Sequence, residues 1–153
     1  MAPTSQTAPV ALRLTRTLAA PPHKVFRAWT DPQALKRWSA PGDMTTPLAE
    51  VDLRVGGRYR IHMLAPDGTV HKVSGVYRLV EPPAKLVYTW RWEEKPEEGD
   101  TLVTVEFHDR GGRTEVVLTH ERFPNVAVRD RHESGWAGCL AKLATVVSEG
   151  SKA

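Results

Sequence analysis

One cysteine, Cys139, and one asparagine, Asn125, stand in a chain of 153 residues. A lone cysteine forms no internal disulfide, so the fold is expected to hold without staples and to suit a reducing compartment, the cytoplasm. No apolar run approaches the roughly 18 residues of a membrane span, and no membrane partner is expected. Met1 to Pro9 has neither a basic n-region nor an apolar h-region, which predicts a disordered tail rather than a signal peptide. Charge of one sign is also scarce. The 21 Lys and Arg residues are scattered among 18 Asp and Glu, for a net +3. The densest basic cluster, Arg54, Arg58 and Arg60, is expected on the solvated faces of two strands, so no nucleic-acid partner is expected.

Motifs are missing as well. There is no G-x-S-x-G elbow, P-loop or dinucleotide fingerprint. His62, His71, His108, His120 and His132 are dispersed, without H-x-x-x-H or C-x-x-C spacing, so neither a metal nor a cofactor is expected. Glu50 and Asp52 share a strand face, but the alternation turns it outward, away from any paired-carboxylate site.

What is present is a change of period in a definite order. With 41% hydrophobic and 25% charged residues, the chain reads as one globular domain over residues 10–150. Val10 to Leu18 alternates as a strand, with Val10, Leu12 and Leu14 on one face. Pro21-Pro22 breaks it and opens a helix carrying Val25, Phe26 and Trp29 on one side. Asp31 and Pro32 then serve as N-cap and first residue of a second, short helix with Leu35 and Trp38 on its apolar side. From Leu48 to His120 the pattern is β. Its inner files are predicted as Val51, Leu53, Val55; Tyr59, Ile61, Met63; Val73, Gly75, Tyr77, Leu79; Leu86, Tyr88, Trp90, Trp92; Val103, Val105, Phe107; and Val116, Leu118, His120. Asp67-Gly68 and Gly111-Gly112 mark tight turns, and Glu93 to Asp100 a charged solvent loop. Strands so close together leave no room for helical crossovers, which predicts an antiparallel meander. From Arg129 to Ser148 Trp136, Leu140, Leu143 and Val147 form a helical stripe bordered by Cys139 and Val146, whose burial partner is the concave sheet.

Taken in order, Pro22 to Phe26, Trp29-Thr30-Asp31-Pro32, Leu35 to Trp38, Asp52-Leu53-Arg54-Val55-Gly56-Gly57, Gly75-Val76-Tyr77, Leu86 to Trp92 and Gly135-Trp136 resemble the motifs of a known family. It is the bacterial family similar to the C-terminal domain of the heat-shock-protein-90 ATPase activator (AHSA-type), within the START/SRPBCC, Bet v 1-like superfamily. The resemblance covers roughly residues 10–148 and implies an α+β helix-grip fold, β-α-α-β6-α. In that fold a curved antiparallel seven-stranded sheet wraps around a long C-terminal helix. Superfamily relatives bind lipids, sterols or aromatic polyketides, and some cyclise or hydroxylate them; fold alone does not transfer such a function. The activator also uses a separate N-terminal domain rich in Asn and Trp. No such segment occurs in these residues, which points away from a direct action on the chaperone.

A pocket between sheet and helix is thus expected, and its size matters. Ligand pockets measure roughly 300–1,000 Å³, and at about 24 cal/mol per Å³ a dry one of even the smallest size would cost about 7 kcal/mol. The interior therefore holds water or a ligand, or collapses onto its own aromatics. The expected lining is Trp29, Tyr59, Ile61, Met63, Tyr77, Tyr88, Trp90, Val105, Phe107, Leu118, His120, Trp136, Cys139, Leu140 and Leu143. These same side chains also suit a packed core. His120 and Tyr88 are the candidate acid/base groups. A histidine satisfied at a strand end accounts equally for His120, and an inert core thiol for Cys139.

The leading expectation is a binder of a small apolar or aromatic molecule, acting as a monomer or weak homodimer. A polyketide-cyclase or hydrolase-type enzyme using the same pocket is the alternative. A chaperone-associated interaction module, acting through the convex sheet or the Glu93–Asp100 loop, is the third reading.

Overall fold

Two prolines punctuate the N-terminal half of the computed structural model, which describes residues 10–151; the tail expected over residues 1–9 lies outside them. After strand β1 (Val10–Leu18), Pro22 begins helix α1 (Pro22–Thr30), where a missing N–H costs nothing because first-turn donors have no partner in the helix. Pro32 does the same for α2 (Pro32–Trp38), and the Asp31 side chain caps that helix by accepting from the Gln33 N–H at 3.0 Å. The two helices are tied together by the Trp38 indole, which donates to the Ala28 carbonyl at 2.9 Å.

Six strands follow: β2 (Thr45–Val51), β3 (Arg58–Leu64), β4 (Val70–Glu81), β5 (Lys85–Trp92), β6 (Thr101–Asp109) and β7 (Thr114–Phe123). They pair as an antiparallel meander, and β1 closes against β7, giving the order β1-β7-β6-β5-β4-β3-β2. Alternation places Tyr59, Ile61, Met63, Val73, Tyr77, Leu86, Tyr88, Trp90, Val103, Val105, Phe107, Val116, Leu118 and His120 inward, all buried. The long helix α3 (Val126–Ser151) lies across this face and buries Trp136, Cys139, Leu140, Leu143 and Val147. It begins at Val126 because Asn125 accepts from the Val128 N–H at 2.9 Å, an N-cap just ahead of the apolar stripe. The architecture is an α+β helix grip.

Two expected inner files are corrected. Leu53 and Val55 are exposed, at 39% and 64%. The strand ends at Val51, and Asp52 to Gly57 instead form a turn. Within it Gly56 N–H donates to the Tyr77 carbonyl at 2.8 Å, and Gly57 accepts from Tyr77 N–H at 2.9 Å. Gly56 has φ of 86°, the left-handed region that glycine enters without strain. In β4 the register shifts between Tyr77 and Leu79, so that Val80 rather than Leu79 packs on the core. An irregularity that inserts a residue moves everything beyond it to the opposite face.

Candidate functional site

The helix α3 packs closely on β1 and α2, and a cavity of about 260 Å³, open to solvent at its rim, lies between it and the other half of the sheet. Strand β3 contributes Tyr59, Ile61 and Met63, β4 contributes His71 and Tyr77, and β5 contributes Tyr88, Trp90 and Trp92. Trp29 of α1, Leu35 and Trp38 of α2, and Ser39, Pro41 and Met44 of the α2–β2 segment close one end. His132, Gly135, Trp136 and Cys139 of α3 form the opposite wall, with Glu94, Lys95 and Arg131 at the rim.

The aromatic wall is held by edge and stacking contacts. Trp29 stacks on Trp136 at 6.2 Å and meets Trp38 edge-on at 4.6 Å. Trp90 lies 5.4 Å from Trp136, and Tyr88 is edge-on to Tyr59 at 5.2 Å and to Tyr77 at 5.9 Å. Such pairs are worth about 0.5–1.5 kcal/mol each beyond their burial, so the wall is stiff.

Hydrogen bonds fix the rings. Trp29 donates its indole N–H to the Tyr88 hydroxyl at 3.0 Å, and Tyr59 donates its hydroxyl to the Thr89 carbonyl at 2.6 Å. Gly75 makes the second bond possible, since a Cβ there would lie 2.6 Å from the Tyr59 ring and 1.9 Å from the Thr89 oxygen. Trp136 donates to Nδ1 of His120 at 3.0 Å, and Trp92 donates to Nε2 of His132 at 3.1 Å. Among the described residues the buried Trp90 Nε1 has no hydrogen-bond acceptor, and its ring packs edge-on to Trp92 at 5.7 Å.

Charge is confined to the rim. Glu94 accepts from Lys72 N–H at 3.0 Å and faces His71 Nδ1 at 3.2 Å, while Arg131 reaches Glu98 at 3.5 Å. Glu93 is held by both Nε and Nη2 of Arg60 at 3.0 Å, which anchors the start of this loop, and a 3-10 turn at Pro96–Glu98 follows. The segment after α2 is latched to α3 from the other side. Lys142 Nζ donates to the Ala40 and Met44 carbonyls at 2.5 and 3.1 Å, and Gly138 lets Pro41 approach the helix, where a Cβ would stand 3.3 Å from the proline.

Burial sets the protonation states. It raises the Tyr77, Tyr88 and Tyr59 phenols well above their ordinary value, so the hydroxyls stay protonated. Burial pushes the Cys139 thiol up to about 12, against a weaker opposite pull from Lys142. Burial also holds His120 well below the usual histidine range, with His132 adding to the effect.

Residues 19–148, most of this architecture, match the family model described as Activator of Hsp90 ATPase homolog 1-like protein. The chain belongs to that family. A solved protein from Chromobacterium violaceum is 32% identical, with a TM-score of 0.84 over 90% of this chain and 96% of that one. An AHSA1 protein from Silicibacter pomeroyi is 27% identical, with a TM-score of 0.83 over 92% of this chain and 99% of that one. A Plasmodium falciparum protein described as an HSP90 activator is 29% identical, with a TM-score of 0.72 over 90% and 96%. No curated protein matches.

In this family member the expected lining residues divide by position. Trp29, Tyr59, Ile61, Met63, Tyr77, Tyr88, Trp90, Trp136 and Cys139 are brought together on the cavity wall. Val105, Phe107, Leu118 and His120 of the sheet and Leu140 and Leu143 of α3 are buried in the core instead, and Phe107 is covered by α1, where it meets Phe26 at 5.4 Å and Trp29 at 5.7 Å. His120 has both nitrogens engaged. Since an indole is only a donor, Nδ1 must accept from Trp136, which places the proton on Nε2, 2.6 Å from Thr101 Oγ1. The loop residues Pro41, Met44, Glu94 and Lys95 carry no sequence periodicity that would have found them. His132 does carry one: it precedes Trp136 by four residues and so shares its helix face.

Proposed function

We propose that the chain binds a small, flat, apolar or aromatic molecule in the cavity between α3 and β3–β5. The supporting observation is a wall of fixed aromatic rings around about 260 Å³, with charged groups only at its rim. That volume sits near the lower end of ligand pockets, roughly 300–1,000 Å³, and suits a compound of about one to two rings. Left dry it would cost about 6 kcal/mol, so in solution the space holds water or a ligand. Release of water from apolar walls supplies the driving force, and the protonated phenols of Tyr77 and Tyr88 favour an uncharged hydrogen-bond acceptor at the inner end.

The arrangement favours binding over acid/base chemistry. His120 lies behind the wall with both nitrogens engaged, and the Tyr88 phenol holds its proton too tightly to serve as a base near neutral pH. Native mass spectrometry of the protein purified from its own host tests the proposal. A discrete extra mass that is lost on denaturation is the expected result. A bare mass, with no change in melting temperature across a panel of one- and two-ring aromatics, would overturn it.

A second reading, a chaperone-associated module, is favoured by the likeness to the Plasmodium falciparum HSP90 activator. It predicts that an HSP90-type chaperone is retained on the immobilised protein, and failure of purified chaperone to bind would remove it.

A further inference from the structure

Two of the five tryptophans donate to imidazoles, and the two pairs stand in different places. Trp136–His120 is sealed in the core, where His120 is 0% exposed. Trp92–His132 lies on the cavity lining, near the rim formed by Glu94, Lys95 and Arg131. Trp92 ends β5, and His132 sits in the early turns of α3. Its Nδ1 lies 3.0 Å from the Val128 carbonyl and so must donate, which leaves Nε2 as an unprotonated acceptor for the Trp92 indole at 3.1 Å. The bond spans sheet and helix on the side where the cavity separates them.

We propose that the Trp92–His132 hydrogen bond is the clasp of the cavity entrance and that a proton on His132 releases it, with entry and exit of the bound molecule controlled there. This rests on the binding function proposed above. A protonated His132 carries N–H groups on both nitrogens. Nε2–H then faces Trp92 Nε1–H, donor against donor, and no lone pair remains to hold the indole. The Trp92 ring loses its tie to α3, while the Lys142 latch to the Ala40 and Met44 carbonyls contains no group that takes up this proton. The Trp136–His120 bond lies beside His132, whose ring is 5.1 Å from that of His120, and a positive charge on His132 opposes one on His120 and so keeps that bond closed.

The surroundings set when this happens. Burial opposes a proton on His132 most strongly; the bond to the Val128 carbonyl and the Glu98 carboxylate favour it, while Arg131 beside His132 on α3 and Lys95 in the rim loop oppose it. The remaining neighbours are rings. Trp90 lies at 6.2 Å and Trp92 at 5.9 Å from β5, and His120 at 5.1 Å and Phe123 at 4.9 Å from β7. Burial, the largest influence, lowers the His132 pKa from its ordinary 6.5, so the clasp is closed at neutral pH and opens in acid.

Two measurements on the folded full chain test this. The first follows the Trp92 indole N–H by NMR in the ligand-free protein, identified by its loss in Trp92→Phe. The second follows dissociation of the uncharged, non-titrating two-ring fluorophore 2-methoxynaphthalene. From about pH 7.5 to about pH 5 the indole signal should move with the His132 imidazole and probe dissociation should speed up roughly tenfold, the loss of about one hydrogen bond. His132→Gln keeps an acceptor that does not titrate and should flatten both responses. Trp92→Phe should release the probe quickly at either pH. Circular dichroism establishes that each variant is folded. An indole signal that ignores the His132 titration, or an unchanged pH response in His132→Gln, overturns the clasp. If the probe fails to bind while the indole still follows His132, the clasp stands and the binding proposal loses its support.

Discussion

Trp136 donates its indole N–H to Nδ1 of His120 across 3.0 Å, and that one bond determines which nitrogen of the imidazole carries the proton. With the proton on Nε2, His120 donates to Thr101 Oγ1 at 2.6 Å, and Thr101 in turn donates to the Trp90 carbonyl at 2.9 Å. The chain of donors runs from α3 through β7 and β6 to β5, and both of its tryptophans line the cavity. His120 is therefore a positioning residue for the aromatic wall. Replacing it with Leu leaves the buried Trp136 donor without its acceptor and should cost about 2–4 kcal/mol in urea unfolding. A loss under about 0.5 kcal/mol, within the usual range of surface changes, would show that the chain carries little.

The buried imidazoles also predict how stability depends on pH. His120 and His132 have folded-state pKa values below the ordinary 6.5, with burial the largest cause in each. Between the folded and unfolded values the unfolded chain binds more protons, so stability rises with pH. Stability is thus full above the ordinary histidine pKa and is lost as pH falls below it, at up to about 1.4 kcal/mol per pH unit for each histidine. Urea unfolding between about pH 7.5 and pH 5 should show this loss, and His120→Leu should remove its share of the slope. An identical slope in the variant would mean that His120 is not the group being protonated.

The sheet was legible in the sequence because each inner strand face announces itself by alternation. Tyr59, Ile61 and Met63 are inward for that reason, as are Tyr88 and Trp90. Alternation does not say where pairing stops. Leu53 and Val55 continue the pattern of Val51, yet the chain has already left the sheet to meet Tyr77 through Gly56 and Gly57. Nor does parity survive an inserted residue, which is why Val80 takes the place expected of Leu79. The cavity was legible only where it is made of strand and helix faces. Tyr77 lines the space and Phe107 does not, because Phe26 and Trp29 of α1 lie over Phe107, and that is a property of the packed chain. The rim, with Lys95, Arg131 and His132, joins segments distant in sequence and has no local signal beyond the four-residue spacing of His132 and Trp136.

Gly75 gives a prediction that needs no ligand. A Cβ at this position would lie 1.9 Å from the Thr89 carbonyl oxygen and 2.6 Å from the Tyr59 ring. The first neighbour is backbone in the paired strand β5, so that contact cannot be relieved by turning a side chain, whereas the Tyr59 ring would have to move aside. Gly75→Ala should destabilise the fold by about 2–4 kcal/mol, far beyond an ordinary glycine-to-alanine change in a strand. It should also free the Tyr59 hydroxyl from Thr89. Wild-type stability in urea would mean that β4 shifts easily at this point.

Cys139 turns the cavity into its own reporter. The thiol lies on the wall, 5% exposed, and burial raises its pKa from 9.0 to about 12. A thiol that holds its proton so tightly has about a thousandth of the usual thiolate, which is the form that reacts. Alkylation by N-ethylmaleimide, followed by mass spectrometry at about pH 8, should therefore be roughly a thousandfold slower than for the same chain in urea. A one- or two-ring aromatic at saturating concentration should slow it further, because the occupant stands between reagent and sulfur. Ile61→Trp, which places an indole in the space, should give the same protection with no ligand added. Rapid labelling of the folded protein would show a cavity open enough to solvate the thiolate. Slow labelling that no aromatic compound changes would place the occupant, if one binds, away from this wall.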